Sequence, residues 1–463
     1  MVGAAIRTRR TEAHCHHQCQ ALDIATVDFT YAVAPRSGDA TSRVEVLSVV
    51  GPSNVAGPLV DGSSLLASII NEVGSVEVTR LKVAIYNLYW ATYGGGEQVS
   101  GAIAETLSSH CDVTLLGPEE PNIEATRARL GVDLAGCSWR KVVDDLEAST
   151  ASADFDVFIN GTYRSHTVNQ APVGLYYVHF PEPPSTSRRK AVDVVARTGL
   201  CAMKMAPRVP DRLESVRRGL QRRVIDQSWT KSYTKFLSNS QYTAGWVKKL
   251  WDADSEIVYP PVRTTVKPGT KVDLITSIGR FFDPSLGHSK KQHELLEAFT
   301  QMFSSRNGVG PWKLSFVGGA DGASRDYALA IRRGAIGLPV SVNLNAPRDL
   351  VETTLATASI YWHGGGFGED PELHPERFEH FGIAVVEAMA AGAVPVVFAA
   401  AGPAEIVRHA IDGFHWKTLG ELQAYTRVLM NDESLRLKMS ASAQERAAEF
   451  SVAVFASRIN ALL

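Results

Sequence analysis

The sequence predicts an α/β protein made of two successive parallel-sheet domains that face one another across a cleft. Three observations lead there. Short apolar runs of strand type alternate with stretches of helical period along most of the chain. The alternation breaks at a double proline, Tyr259-Pro260-Pro261-Val262, with a polar stretch from Arg263 to Lys271, and then starts afresh. The length of 463 residues suits two large domains and a remnant. Hydrophobic residues make up 45 % and charged residues 21 %, which supplies packed cores and excludes a disordered, collagenous or disulfide-scaffold chain. The formal net charge of −2 leaves no field drawing the whole chain to nucleic acid.

Residues 1–79 read as an N-terminal extension, flexible or incidental. His14, Cys15, His16, His17 and Cys19 crowd together, but a structural zinc site needs a second ligand pair and none follows. The five cysteines are odd in number and scattered, which fits a reducing compartment. No apolar run reaches the ~18–20 residues of a membrane helix, and the first residues lack the apolar core of a secretory signal. The expected location is therefore cytoplasmic.

The first domain, 80–264, opens with the strand run Leu81–Tyr86, a turn Tyr93-Gly94-Gly95-Gly96-Glu97, and a helix in which Val99, Ile103 and Leu107 share a face. Strand runs follow at 112–116, 155–159, 173–179 and 236–240. The second domain, 265–450, repeats the pattern with runs at 273–278, 313–317, 359–362 and 393–398. Residues 451–463 read as a C-terminal helix packing back on the first domain. In such architectures ligands bind at the carboxyl ends of the strands.

The sharpest local feature is Glu379-His380-Phe381-Gly382-Ile383-Ala384-Val385-Val386-Glu387. With a helix from Ile383 onward, Glu387 lies one turn in and Glu379 on the preceding loop. The unpaired amides of that helix start suit a diphosphate, and Gly382 allows close approach to the backbone. Arg280 offers a bidentate fork for phosphate, and Lys290 or its rival Lys291 a point charge. His179 ends an apolar strand run. His363, His374 and His380 border the insertion 364–377, which reads as a substrate-covering loop or, less simply, a metal site. Two Asp-X-Asp triplets, at Asp154–Asp156 and Asp252–Asp254, read as structural. No Gly-x-Gly-x-x-Gly or Walker lysine pattern is present. Residues 185–235 carry 13 Lys or Arg against four Asp or Glu, either a solvated helix face or a basic amphipathic helix for an anionic membrane surface.

The two glutamates with seven residues between them, their flanks Phe381-Gly382 and Glu387-Ala388-Met389-Ala390-Ala391-Gly392, and the turn Gly94-Gly95-Gly96-Glu97 together resemble the family-4 retaining glycosyltransferases of GT-B fold. The segments Ser238–Thr243, Tyr259–Val262 and Ser277-Ile278-Gly279-Arg280 with Lys290-Lys291 add to the match, which runs from about Leu81 to the C-terminus. Tyr177–Pro181 and Glu379–Gly392 lean toward lipid-linked mannosyltransferases. The resemblance implies a GT-B fold of two Rossmann-like domains and a retaining hexosyltransferase. Glu379 and His179 would touch the donor sugar, Arg280 and Lys290 the diphosphate. Gly95, Gly96, Lys291, Phe381, Gly382 and Ile383 would complete the donor site, with Glu387 on the ribose. It further implies no cofactor and no metal, GDP-mannose or UDP-glucose as donor substrate, and a glycan, lipid-linked or small-molecule acceptor. Peripheral contact with the inner membrane face through residues 185–235 would follow from a lipid-linked acceptor. The competing reading is a non-catalytic nucleotide-sugar or glycan binding protein on the same scaffold.

Overall fold

The computed structural model describes the strands at 6–9, 24–32 and 44–52 and residues 80–182, 227–264, 266–305 and 308–463. The chain divides into two units, Met1–Arg80 and Leu81–Leu463. In the first, β1 (Ile6–Arg9), β2 (Ile24–Ala32) and β3 (Val44–Pro52) form an antiparallel sheet in that order. The His/Cys cluster at 14–19 and most of the basic stretch 185–235 lie outside the described residues.

The second unit carries two lobes. The first holds β4 (Lys82–Tyr86), α1 (Gly95–Ser108), β5 (Asp112–Gly117), α2 (Ile123–Leu130), β6 (Ser138–Lys141), α3 (Asp145–Ser152), β7 (Val157–Asn160), β8 (Val173–Val178), β9 (Lys235–Ser238), α4 (Gln241–Trp251) and β10 (Ser255–Ile257). The second holds β11 (Val272–Ile278), α5 (Gln292–Ser304), β12 (Lys313–Gly318), α6 (Arg325–Gly334), β13 (Val340–Leu344), α7 (Arg348–Thr357) and β14 (Ala358–His363). It continues with α8 (Ile383–Ala390), β15 (Val394–Phe398), α9 (Ala401–Ile406), β16 (Phe414–Trp416), α10 (Leu419–Asn431), α11 (Glu433–Ala448) and α12 (Val452–Asn460). Both sheets are parallel, in the orders β10-β9-β8-β7-β4-β5-β6 and β13-β12-β11-β14-β15-β16.

Strand alternation explains why both sheet faces are covered. Val83 and Ile85 of β4 enter one core with Ile103, Val113 and Leu175, while Ala84 and Tyr86 enter another with Phe158, Tyr176 and Trp229. In the second lobe Ile360 and Trp362 pack on one side of β14 and Tyr361 on the other. The central strands are apolar on both faces, so the helices must lie on both.

The chain crosses between lobes twice. Within the first lobe, Tyr177 Oη fixes the start of the first crossing by donating to the Val258 carbonyl at 2.8 Å, and between the lobes Val262 N donates to the Phe450 carbonyl at 2.9 Å. Helix α12, capped by Ser451, returns Phe455 and Ile459 to the first-lobe core. Further ties hold the lobes together. The Glu405 carboxylate accepts from Gln241 N at 2.9 Å and from Tyr259 Oη at 2.6 Å. The His380 ring stacks on Phe180 with centroids 4.2 Å apart. Among the described residues no helix is long and apolar enough to cross a membrane.

Candidate active site

The two lobes enclose a cavity of about 690 Å³ at the carboxyl ends of their strands. On the first-lobe wall the chain turns sharply between β4 and α1. Gly94 caps α1 with extended backbone. The buried Glu97 carboxylate accepts from Gly94 N at 2.6 Å and Thr92 Oγ1 at 2.7 Å. A Cβ on Gly94 would stand 3.3 Å from Arg280 Nη2, on Gly95 3.4 Å from Ile383 Cδ1, and on Gly96 3.4 Å from His179 Nε2. The glycines thus allow the start of α1 to lie against the second lobe and against His179.

The second-lobe wall faces it. After β11 the chain reaches Gly279-Arg280, and a Cβ on Gly279 would fall 2.9 Å from Lys290 Cγ. Glycine is therefore what lets the lysine stem pass into the cavity. Lys290 Nζ pairs with the Glu379 carboxylate and lies 3.3 Å from His288 Nε2. His363, at the end of β14, places Nε2 3.4 Å from Glu379. Gly382 stands before α8 at φ +114°, a conformation that only glycine takes without strain. The amides opening α8 point their dipole into the cavity, as do those of α1. Arg280 also lines it and forms no ion pair among the described residues. Two helix N-termini, Lys290 and the Arg280 guanidinium form an electropositive pocket fit for a diphosphate.

Titration follows from burial. Burial alone would raise the Glu379 carboxyl, but Lys290, the His363 hydrogen bond and His288 hold it well below the usual carboxylate range. Burial, with Lys290 nearby, lowers His288 to about 4. Burial also lowers His380, to about 3, and His363 and His179 in direction. These imidazoles are neutral at pH 7, so the charge in the pocket resides on Lys290, Arg280 and the carboxylates. Glu387, one turn into α8, behaves oppositely. Its burial raises the carboxyl against the opposing pull of Arg348, whose Nη2 lies 3.5 Å away. His179 makes a 3.0 Å hydrogen bond between Nε2 and the Gly161 carbonyl, which leaves Nδ1 free as an acceptor.

The structure thus brings Gly95, Gly96, His179, Arg280, Lys290, Glu379, Phe381, Gly382, Ile383 and Glu387 together on the lining. Lys291 is not with them. It sits in the left-handed conformation ahead of α5 (φ +59°), which turns its side chain away to a buried pair with Glu369 at 2.7 Å. Glu369 also binds Arg377 at 3.1 Å. Residues 364–377 do not line the cavity either. They strap its flank, with Tyr242 Oη donating to the Pro375 carbonyl at 2.9 Å and Lys249 pairing with Glu372. The Asp-X-Asp carboxylates serve the fold: Asp156 accepts from Lys82 N, Asp154 pairs with Arg140, and Asp252 and Asp254 share Lys248. Sequence reasoning missed Arg129, Arg348 and Tyr163 on the lining. Gly402 was also missed, although its N–H donates to the Glu379 carbonyl at 3.0 Å from behind the loop. For Arg348 the available signal was an arginine in the first turn of a helix following a strand.

Comparison with known proteins agrees with this geometry. Residues 270–446 match the family described as glycosyl transferases group 1. The GDP-Man:Man(3)GlcNAc(2)-PP-Dol alpha-1,2-mannosyltransferase of Dictyostelium discoideum is 30 % identical over 246 residues, 49 % of this chain and 46 % of that protein. The Homo sapiens protein of the same name is 30 % identical over 183 residues, 36 % of this chain and 34 % of that one. The chain therefore spans less than half the length of these relatives. Among solved structures, Anabaena HepE in complex with UDP and glucose superimposes with a TM-score of 0.57 at 14 % identity, over 82 % of this chain and 99 % of that one. WaaG, a glycosyltransferase involved in lipopolysaccharide biosynthesis, gives 0.51 at 14 % identity, over 81 % and 97 %. The fold is GT-B.

Proposed function

We propose, from the premise that residues 270–446 belong to the glycosyl transferases group 1 family within a GT-B fold, that this protein transfers a hexose from a nucleotide sugar to a hydroxyl acceptor with retention of configuration. The observation that carries the reading is the convergence of both helix N-termini, Arg280 and Lys290 on one cavity with Glu379 and Glu387. Breaking the bond from hexose to diphosphate develops negative charge on the leaving phosphate. Preorganised cations and amides stabilise that charge where it forms. Arg280 grips phosphate oxygens bidentately, and Lys290, steered by Glu379, supplies the point charge. Glu379 and His179 Nδ1 accept hydrogen bonds from hexose hydroxyls, and Glu387 accepts from the ribose. The acceptor hydroxyl attacks from the side the diphosphate leaves and gives its proton to the departing phosphate oxygen. Closure of the lobes on the donor would exclude water and so suppress donor hydrolysis.

With this cation set the charge is met by the chain itself, so turnover is expected to be unchanged by EDTA. GDP-mannose is the first donor and UDP-glucose the second. Support for a lipid-linked acceptor comes from the mannosyltransferase relatives. Peripheral contact with the cytoplasmic face of a membrane through residues 185–235 is supported by their 13 Lys or Arg against four Asp or Glu. Co-sedimentation with anionic vesicles tests that contact, and equal recovery with neutral vesicles refutes it. The transferase reading is tested by release of nucleoside diphosphate from GDP-mannose and UDP-glucose, with and without a glycan acceptor. Binding of donors without release in any combination would mark a non-catalytic binding protein.

Glu387 gives a prediction of opposite sign for stability and binding. Because burial raises its carboxyl, folding disfavours the ionised form relative to the unfolded chain. The stability it contributes is full below the unfolded value and is lost as pH rises through the folded one. Glu387→Gln is therefore expected to leave the urea midpoint at pH 7 unchanged or raised. Affinity for nucleoside diphosphate should fall about tenfold or more, the size of a lost hydrogen bond to a charged group. Calorimetric titration checks the second half, and an unchanged affinity would remove Glu387 from the ribose.

A further inference from the structure

We propose that Arg348 reads the base of the donor nucleotide and selects guanine. The inference rests on the nucleotide-sugar reading above and adds the base to it. The polar groups of the cavity fall in an order along its second-lobe wall. Arg280, Lys290 and the first amides of α8 mark the diphosphate end. Glu387 follows one turn into α8, with Arg348 as its ion-pair partner. A buried carboxylate there suits the paired hydroxyls of a ribose, which can only donate to it. Base, ribose and diphosphate are bonded in series, so the group beyond Glu387 is the base. Arg348 reaches Glu387 from the first turn of α7, its side chain 44 % exposed and on the lining, which puts its fork within reach of a base attached to that ribose.

The guanidinium is already oriented. Nε donates to Glu352 at 2.7 Å and Nη2 lies 3.5 Å from Glu387 Oε1. Two carboxylates hold the plane of the fork, while among the described residues the Nη1 protons and one on Nη2 stay unspent. Guanine presents O6 and N7 as adjacent acceptors, which match such a fork bidentately. Adenine places an amino donor beside N7, which opposes arginine, and uracil offers O4 beside the N3–H donor. The same chemistry that reads guanine on an exposed duplex edge therefore discriminates among free nucleotides here.

The test is calorimetric titration of the full chain with GDP, UDP and ADP. The wild-type protein is expected to bind GDP about tenfold or more tightly than UDP or ADP, within the range a bidentate arginine–guanine pair supports. Arg348→Ala should erase that preference and leave UDP and ADP within about threefold of their wild-type affinities, the worth of half a kcal-scale neutral contact. Arg348→Lys keeps a charge beside Glu387 but not the fork, and should lose the preference equally. It decides the matter if the alanine variant does not fold. Glu352→Gln should retain it. A wild-type protein with no preference for GDP overturns the proposal. So does an Arg348→Ala variant weakened equally for all three nucleotides, since the arginine would then act only on Glu387. Nucleotide binding needs no turnover, so failure here is distinct from failure of the transferase reading, which shows as absent diphosphate release.

Discussion

Lys290→Ala is expected to lower release of nucleoside diphosphate from the donor by about 10²–10³-fold, the usual consequence of removing one preorganised stabiliser of a developing oxyanion. The same change leaves Glu379 in a buried position without its ammonium partner, and a buried pair broken on one side costs about 3–5 kcal/mol. Stability and catalysis must therefore be separated. In the wild-type protein the Glu379 carboxyl is held below its usual range. Its contribution is present above the unfolded value and is lost only as pH falls through the lower folded one. Without Lys290 the burial that opposes ionisation is no longer outweighed, so acidification from pH 7 to 5 should stabilise the variant and leave the wild type level or weaker. Lys290→Ala with Glu379→Gln should recover most of the urea midpoint and none of the turnover. Wild-type rates in Lys290→Ala would remove the phosphate assignment. A midpoint that the double variant fails to recover would remove the buried-pair account.

Gly402→Ala is expected to do comparable damage from behind the site. A Cβ there would stand 2.3 Å from both Phe381 Cα and the Phe381 carbonyl oxygen, and 2.6 Å from the His380 carbonyl oxygen. All three are backbone atoms, so the loop that carries Glu379 and the start of α8 must move. Overpacking of this kind costs about 3 kcal/mol, and a displacement near 1 Å in a catalytic loop costs on the order of 10²-fold in rate. Gly245→Ala is the control. It lies inside α4 with nothing within 4 Å of the added methyl, and should stabilise by about 0.5–1 kcal/mol through helix propensity. A Gly402→Ala protein with wild-type midpoint and donor affinity would show that this loop is not braced by α9.

Much of the fold was legible because central parallel strands are apolar on both faces. Residues 83–86, 173–178 and 394–398 stand out as unbroken runs. Within the two parallel sheets, the strands that sequence reasoning missed are β6, β10, β13 and β16, and all four are sheet edges. Ser-Trp-Arg-Lys and Ser-Glu-Ile carry no apolar run, because an edge strand has one neighbour and solvent beside it. The site was legible for a related reason. The spacing of Glu379 and Glu387, and glycines at 94–96 and 382, are local requirements of a helix start that must admit an anion, so they leave a local pattern.

The sequence by itself determined the strand–helix alternation, the glycine turn and the two glutamates eight positions apart across a helix start, since each is a relation between near neighbours in the chain. Only the tertiary structure decided between Lys290 and Lys291. They are adjacent in sequence, but the left-handed backbone at Lys291 sends it to Glu369, and the space above Gly279 admits Lys290 to the cavity. It likewise brought Arg348 beside Glu387 and Gly402 beneath Phe381, pairings across 39 and 21 positions that no local rule encodes. Long-range packing places them, and packing is a property of the folded chain.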